Sequence, residues 1–159
     1  MYCFHHNSRK FSSGRHVGYG TGGDPLPEGN NFGNSSYQSE SPSANYYVEF
    51  EQAGTYYYYA RASSLGSGNS NSYHLGISNG TDSTSFTRAE ISGDASDWQW
   101  ANILDSDDII AYEVTSPGIH EVIIWARETG IVIDKFILVS DLNAEPSVSL
   151  TPSVTTIGQ

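Results

Sequence analysis

Apolar and polar residues alternate with a period of two along most of the chain beyond residue 45. Tyr46, Val48 and Phe50 alternate with Tyr47, Glu49 and Glu51. In Thr55–Ala62 the faces are Tyr56, Tyr58, Ala60 and Tyr57, Tyr59, Arg61; in Ser72–Ser78 they are Tyr73, Leu75, Ile77 and Ser72, His74, Gly76. Successive side chains of a strand point to opposite faces, so each run predicts a strand with one buried side. Weaker runs predict strands at Tyr2–His5, Thr84–Ile91 and Ile109–Val114. The strongest pattern is His120–Leu138. Val122, Ile124 and Ala126 alternate with Ile123, Trp125 and Arg127, and a second apolar run covers Ile131–Leu138. The polar Glu128-Thr129-Gly130 between them predicts a β-hairpin. Asp134 interrupts the second run, and a carboxylate there needs a partner or water.

No apolar stripe of helical period runs further than about two turns. Roughly eight to ten short strands, with turn signals between them, predict an all-β fold, an antiparallel β-sandwich of jelly-roll type. Residues 7–43 are rich in Gly, Ser, Asn and Pro and carry isolated aromatics, Tyr19, Phe32 and Tyr37. A segment this long without periodicity predicts a loop, and long loops in compact domains are often functional. Residues 143–159 scatter Pro, Ser and Thr without pattern and read as a linker or tail. The expected organisation is one domain over 1–142 and a tail that leads to a neighbour in a larger protein.

Charge narrows the functions. Eighteen acids against seven bases give a net charge of −11, which argues against binding a phosphate backbone and so against nucleic acid as partner. No run approaches the roughly 18 apolar residues a membrane helix needs, so no membrane insertion is expected. The first ten residues lack the apolar core of a signal peptide. If the protein is secreted, its export signal was removed or lay on a larger parent chain. The lone Cys3 makes no disulfide framework, and the triplets at Asn34 and Asn79 are permitted glycan acceptors only.

Several local motifs follow one another in order. They are Ala53-Gly54-Thr55-Tyr56, Arg61, Tyr73-His74-Leu75-Gly76-Ile77, Trp98-Gln99-Trp100, Ser116-Pro117-Gly118-Ile119-His120, Trp125-Ala126-Arg127-Glu128, Gly130 and Ile133-Asp134-Lys135. Over Tyr46–Asp141 this resembles the galactose-binding-like β-sandwich modules appended to bacterial polysaccharide-degrading enzymes, carbohydrate-binding module families 6 and 35 and their relatives. The resemblance implies a secreted, extracellular bacterial module. Its ligand would be a polysaccharide or oligosaccharide, and a covalently linked catalytic domain would be its partner. In such modules a first strand with a Glu-x-Glu pair helps to hold a structural Ca²⁺. Here Cys3 and His5 stand at that place, poor ligands for a cation that prefers oxygen. Asp141 is the one matching carboxylate. Thr129 stands where these relatives usually have an acid.

Sugar binding needs a flat aromatic to stack on ring C–H groups and a few planar polar groups to bridge hydroxyls. If strand 55–62 and the His120–Leu138 hairpin share a sheet, then Tyr57, Tyr59, Arg61, His74, Trp125 and Arg127 form one aromatic and cationic face. The competing expectation is that the arginines pair internally with Asp134, Glu128 or Glu49, and that Arg127, Glu128 and Asp134 form a polar clamp. The resemblance offers a second, loop-borne site at one end of the sandwich, with Trp98, Trp100 and Asn102, and Tyr37 within reach. One of the two tryptophans is expected to plug the end of the core. Arg61, His74 and Arg127 together hint at an anionic glycan, an algal uronic or sulfated polymer, because Arg pairs well with such groups.

Catalysis finds little support. The chain has no nucleophile elbow, HExxH, CxxC or P-loop, and Asp105, Asp107 and Asp108 read as a solvated loop rather than opposed glycosidase carboxylates. The function expected is non-catalytic carbohydrate binding. The alternative is a structural or adhesive extracellular domain, a subunit of a surface assembly.

Overall fold

The computed structural model describes residues 2–10, 33, 35–64, 71–80, 83–91, 97–128, 130–144 and 146. Ten strands and one short helix follow in order. They are β1 (Tyr2–Lys10), α1 (Tyr37–Glu40), β2 (Ser43–Phe50), β3 (Gly54–Ser64), β4 (Ser72–Ser78), β5 (Ser83–Glu90), β6 (Gln99–Ala101), β7 (Ile103–Leu104), β8 (Ala111–Val114), β9 (Gly118–Ala126) and β10 (Ile131–Val139). They form two five-stranded antiparallel sheets. The first runs β1-β10-β3-β6, with β8 also paired to β3; the second runs β2-β9-β4-β5-β7. This is the expected all-β sandwich.

The core lies between the sheets. From the first sheet come Tyr56, Tyr58, Ala60, Ala62, Tyr112, Ile131, Ile133, Phe136 and Leu138; from the second come Val48, Phe50, Tyr73, Leu75, Ile77, Val122, Ile124 and Ala126. Each set is the inward half of its strand's alternation, as the sequence pattern expects.

The expected hairpin over His120–Leu138 is not one. β9 pairs with β2 and β4, whereas β10 pairs with β1 and β3. The turn therefore carries the chain from one sheet across to the other, and Gly130 takes the positive φ of 100° in this crossing. Alternation and a Gly turn fit both geometries, because both need one buried face per strand. The difference is that these two faces meet across the core instead of lying side by side.

Within the expected loop-rich segment 7–43, β1 extends to Lys10 and α1 covers Tyr37–Glu40; residues 11–32, with Tyr19 and Phe32, lie outside the described residues. Three register shifts interrupt the ladders, one in β1 between His5 and Arg9 and two that are one-residue bulges. In β10, Ile133 pairs with Ala62 and Lys135 with Arg61, so Asp134 is an extra residue. In β5, one extra residue falls between Phe86 and Ala89, where Arg88 takes φ 58°. A bulge shifts the inward/outward alternation by one. That is why Ile131 and Ile133 face inward before it, and Phe136 and Leu138 after it.

Candidate functional site

The outer face of the first sheet gathers half of the expected binding residues, Tyr59, Arg61, Trp98 and Trp100. Tyr57, Tyr59 and Arg61 leave β3 on that side, opposite the core-facing Tyr58 and Ala60. Trp100 pairs in register with Arg61 and shares its face. Tyr59, Ile137 and Val139 are buried in a small cluster, with Tyr57, Trp100 and Ala144 packed against it. The Tyr59 hydroxyl donates to the Leu142 carbonyl at 3.0 Å. Leu142, the last residue of the expected domain, and Ala144, in the expected tail, thus dock on this face.

The β10 bulge places Asp134 and Lys135 side by side here. Asp134 Oδ2 accepts from Arg61 Nη1 at 2.6 Å and lies 3.9 Å from Lys135 Nζ. The Arg61 Cζ stands 4.9 Å from the centroid of the Trp98 ring, a cation–π contact. Trp98 is 42% exposed. The expected Asp134 partner is therefore Arg61, on the neighbouring strand, and the Arg127–Glu128–Asp134 clamp divides into two separate pairs. Neither tryptophan plugs the core between the sheets, contrary to expectation. Both lie on the outside of the first sheet, where β6 is too short to bring them over an end. The Trp100 Nε1 is buried and has no hydrogen-bond partner among the described residues.

His74, Trp125 and Tyr37 occupy the opposite side of the molecule. The single aromatic and cationic face expected from alternation does not form, because β4 and β9 belong to the second sheet. On its outer face His74 pairs in register with Trp125. The Tyr37 ring stacks on His74 at 4.0 Å and meets Trp125 edge-on at 5.1 Å. Tyr37 thus closes over this face and does not reach Trp98 and Trp100. His74 is fully buried, and its Nδ1 accepts from the Arg88 N–H at 3.3 Å, which defines that nitrogen as unprotonated.

Arg127 is buried at the crossing between the sheets and donates to Glu128 and to the Ser72 hydroxyl. Glu128 Oε2 also accepts from the N–H groups of Asn71 and Ser72, at 3.0 and 2.9 Å, and from the Ser72 hydroxyl at 2.7 Å. This cluster fastens the start of β4 and leaves Arg127 no part in an open surface. Asn102 sits at the corner between β6 and β7, where its carbonyl accepts from the Ile110 N–H at 2.8 Å.

Asp141 Oδ1 accepts from the Asn143 backbone N–H at 2.9 Å and from its side-chain amide at 3.2 Å. Cys3 and His5 pair in the ladder with Ile137 and Lys135. Among the described residues no group of three or more His, Cys, Asp or Glu side chains converges as metal ligands do.

Over residues 6–152 the chain matches the family described as the glycosyl hydrolase family 115 C-terminal domain. The chain belongs to this family. It is 34% identical over 133 residues to a protein of Formosa agariphila called Uncharacterized protein P23; the match covers 79% of this chain and 31% of that relative. The chain thus spans about a third of the length of the curated relative it matches. Two solved structures show a distant likeness to the chain. One is BtGH115A, described as a family GH115 4-O-methyl-α-glucuronidase with specificity for decorated arabinogalactans, at a TM-score of 0.44 and 13% identity, over 64% of this chain and 13% of that one. The other is a family 35 carbohydrate-binding module from an environmental isolate, at a TM-score of 0.41 and 16% identity, over 98% of this chain and 99% of that one. As a family 115 C-terminal domain, the chain answers to the resemblance that its motifs carry.

Sequence reasoning did not single out Lys135, and it placed Asp134 in a polar clamp with Arg127 and Glu128, or in a pair with Arg61, of which the pair is what forms. The signal was present. Two consecutive polar residues in an apolar strand break its period of two, which is what a bulge does when it turns both outward.

Proposed function

We propose that this domain is a non-catalytic carbohydrate-binding module that holds a polysaccharide against the outer face of the first sheet. In doing so it keeps a covalently linked catalytic domain close to its substrate outside the cell. The observation that carries this reading is the exposed Trp98 ring beside the fixed Arg61–Asp134 pair. An indole offers a flat apolar face to sugar C–H groups, and a salt-bridged Arg and Asp offer donors and acceptors in fixed positions. Both charged side chains are only about one-fifth exposed, at 22% and 20%, so their rotamers are already restrained and binding orders little more. One such site binds weakly, and attachment to a larger protein or repetition raises the effective affinity.

Tryptophan fluorescence titration with a panel of neutral and acidic glycans tests the site. Trp98→Ala is expected to abolish the response, and Trp125→Ala to leave the affinity unchanged. Absence of binding to every glycan in the panel, by fluorescence and by affinity gel, would sink the reading.

A different observation favours a second reading, a structural or adhesive domain. Tyr47 is 61% and Ile119 is 51% exposed. In the β2–β9 register they are diagonal neighbours on the outer face of the second sheet. Light scattering separates the two readings: a monomer at all concentrations that still binds glycan excludes self-assembly as the function.

A further inference from the structure

The charge pattern on the first sheet points to the class of glycan, an inference that rests on the binding face proposed above. The sequence hint of an anionic ligand relied on Arg61, His74 and Arg127 acting together, and the fold separates them. His74 lies under Tyr37, and Arg127 is tied to Glu128. A new combination replaces that set. Lys135 is only 8% exposed, and among the described residues the carboxylate it approaches is Asp134, at 3.9 Å, too long for a hydrogen bond. That carboxylate is already engaged by Arg61 at 2.6 Å. Two cations therefore share one acid in a partly buried place. The bases elsewhere among the described side chains are matched or outnumbered, Arg88 by Glu90 and Asp105 and Arg127 by Glu128.

We infer that Arg61 and Lys135, beside Trp98, form a receptor for an acidic group of the glycan, a carboxylate or a sulfate ester, while Trp98 takes the sugar ring that carries it. A buried charge without full compensation is costly, and an anion from the ligand relieves that cost at the moment of binding. The guanidinium is oriented for this task. Asp134 holds one Nη and the Trp98 ring holds its face, so the remaining N–H groups of the fork are directed rather than free to turn. The overall charge of −11 repels acidic polymers at long range, so recognition must come from this local surplus, and salt must weaken it as it screens the contact.

The test uses a neutral glycan and its carboxylated and sulfated counterparts, with the wild-type chain and Lys135→Met, which keeps the buried stem and removes the ammonium. Wild type is expected to bind at least one acidic polymer more tightly than the neutral one, with an affinity that falls as salt rises. Lys135→Met is expected to lose about tenfold on the acidic polymer, the worth of one charge-assisted hydrogen bond, with any neutral binding unchanged and its own thermal stability kept or raised. The carboxylated and sulfated arms show which acidic group is taken. Equal binding of neutral and acidic glycans that Lys135→Met leaves unaltered overturns this inference and leaves the binding face standing. Binding of no glycan overturns both. Should Lys135→Met fail to fold, the salt series on wild type decides: salt-independent binding of the acidic polymer refutes the acidic receptor.

Discussion

Gly76 illustrates how one residue shapes a face. It lies opposite Ile123 on β9, and the Trp125 ring passes directly over it. A Cβ at this position would stand 2.7 Å and 2.8 Å from two ring carbons of Trp125, well inside contact distance. The ring cannot easily yield, because Tyr37, itself stacked on His74, meets it edge-on. Gly76→Ala is expected to cost roughly 1–3 kcal/mol as an overpacking change, measured by denaturant unfolding. Combination with Trp125→Leu should recover much of that loss, since the clash then has no partner. A glycine in the middle of a strand is a legible oddity in sequence. The ring that requires it comes from another strand, about fifty residues away, and strand pairing alone reveals it.

At the scale of elements, carboxylates decide how strands are joined. Glu128 receives the Asn71 and Ser72 N–H groups, the Ser72 hydroxyl and the Arg127 guanidinium. Glu128→Ala strands a buried Arg and two backbone donors, and is expected to cost about 3–5 kcal/mol. The double change Arg127→Met with Glu128→Gln should cost distinctly less than the two single losses summed, which a double-mutant cycle measures. Glu90, at the end of β5 between Ser72 of β4 and Ile103 of β7, behaves differently. Burial raises its pKa from 4.5, the hydrogen bond and charge of Asp105 raise it further, and Arg88 opposes them. The folded state therefore holds this proton more tightly than the unfolded chain does. Its contribution to stability is present at low pH and is lost as pH rises above about 4.5 through the raised value. In melting curves across this range, Glu90→Gln is expected to reduce the loss of stability with rising pH. An unchanged slope would rule out Glu90 as its source. Glu128 was expected to pair with an arginine in a polar clamp, but its hold on the start of β4 and the place of Glu90 were not readable from local sequence. Their partners, Ser72 and Asp105, are brought to them by the β4 register and the β5–β7 pairing.

For the molecule as a whole, the topology sorts the aromatic surplus into two outer faces with different fates. On the second sheet, Tyr37, His74 and Trp125 close on one another. On the first, Trp98 stays open above a charged floor. Titrating wild type, Trp98→Ala and Trp125→Ala with the same glycan therefore reads the assignment of faces directly. The strands, their inward halves and the family's motifs were legible because period-two alternation and turn residues are local properties. The pairing of His120–Leu138 was not, because a hairpin and a crossing between sheets share the same pattern. That one ambiguity misplaced half of the expected site.

By itself the sequence determined that the chain is all-β and which side of β2, β3, β4 and β9 is buried. These follow from the pleat, which ties side-chain direction to residue parity. The tertiary structure alone decided which outer faces coincide. Register and sheet membership depend on contacts between segments far apart in the chain, and a single bulge at Asp134 reverses parity within β10. That bulge sets Asp134 and Lys135 beside Arg61 and Trp98, and it turns an apparent fault in an apolar strand into the charged floor of the candidate site.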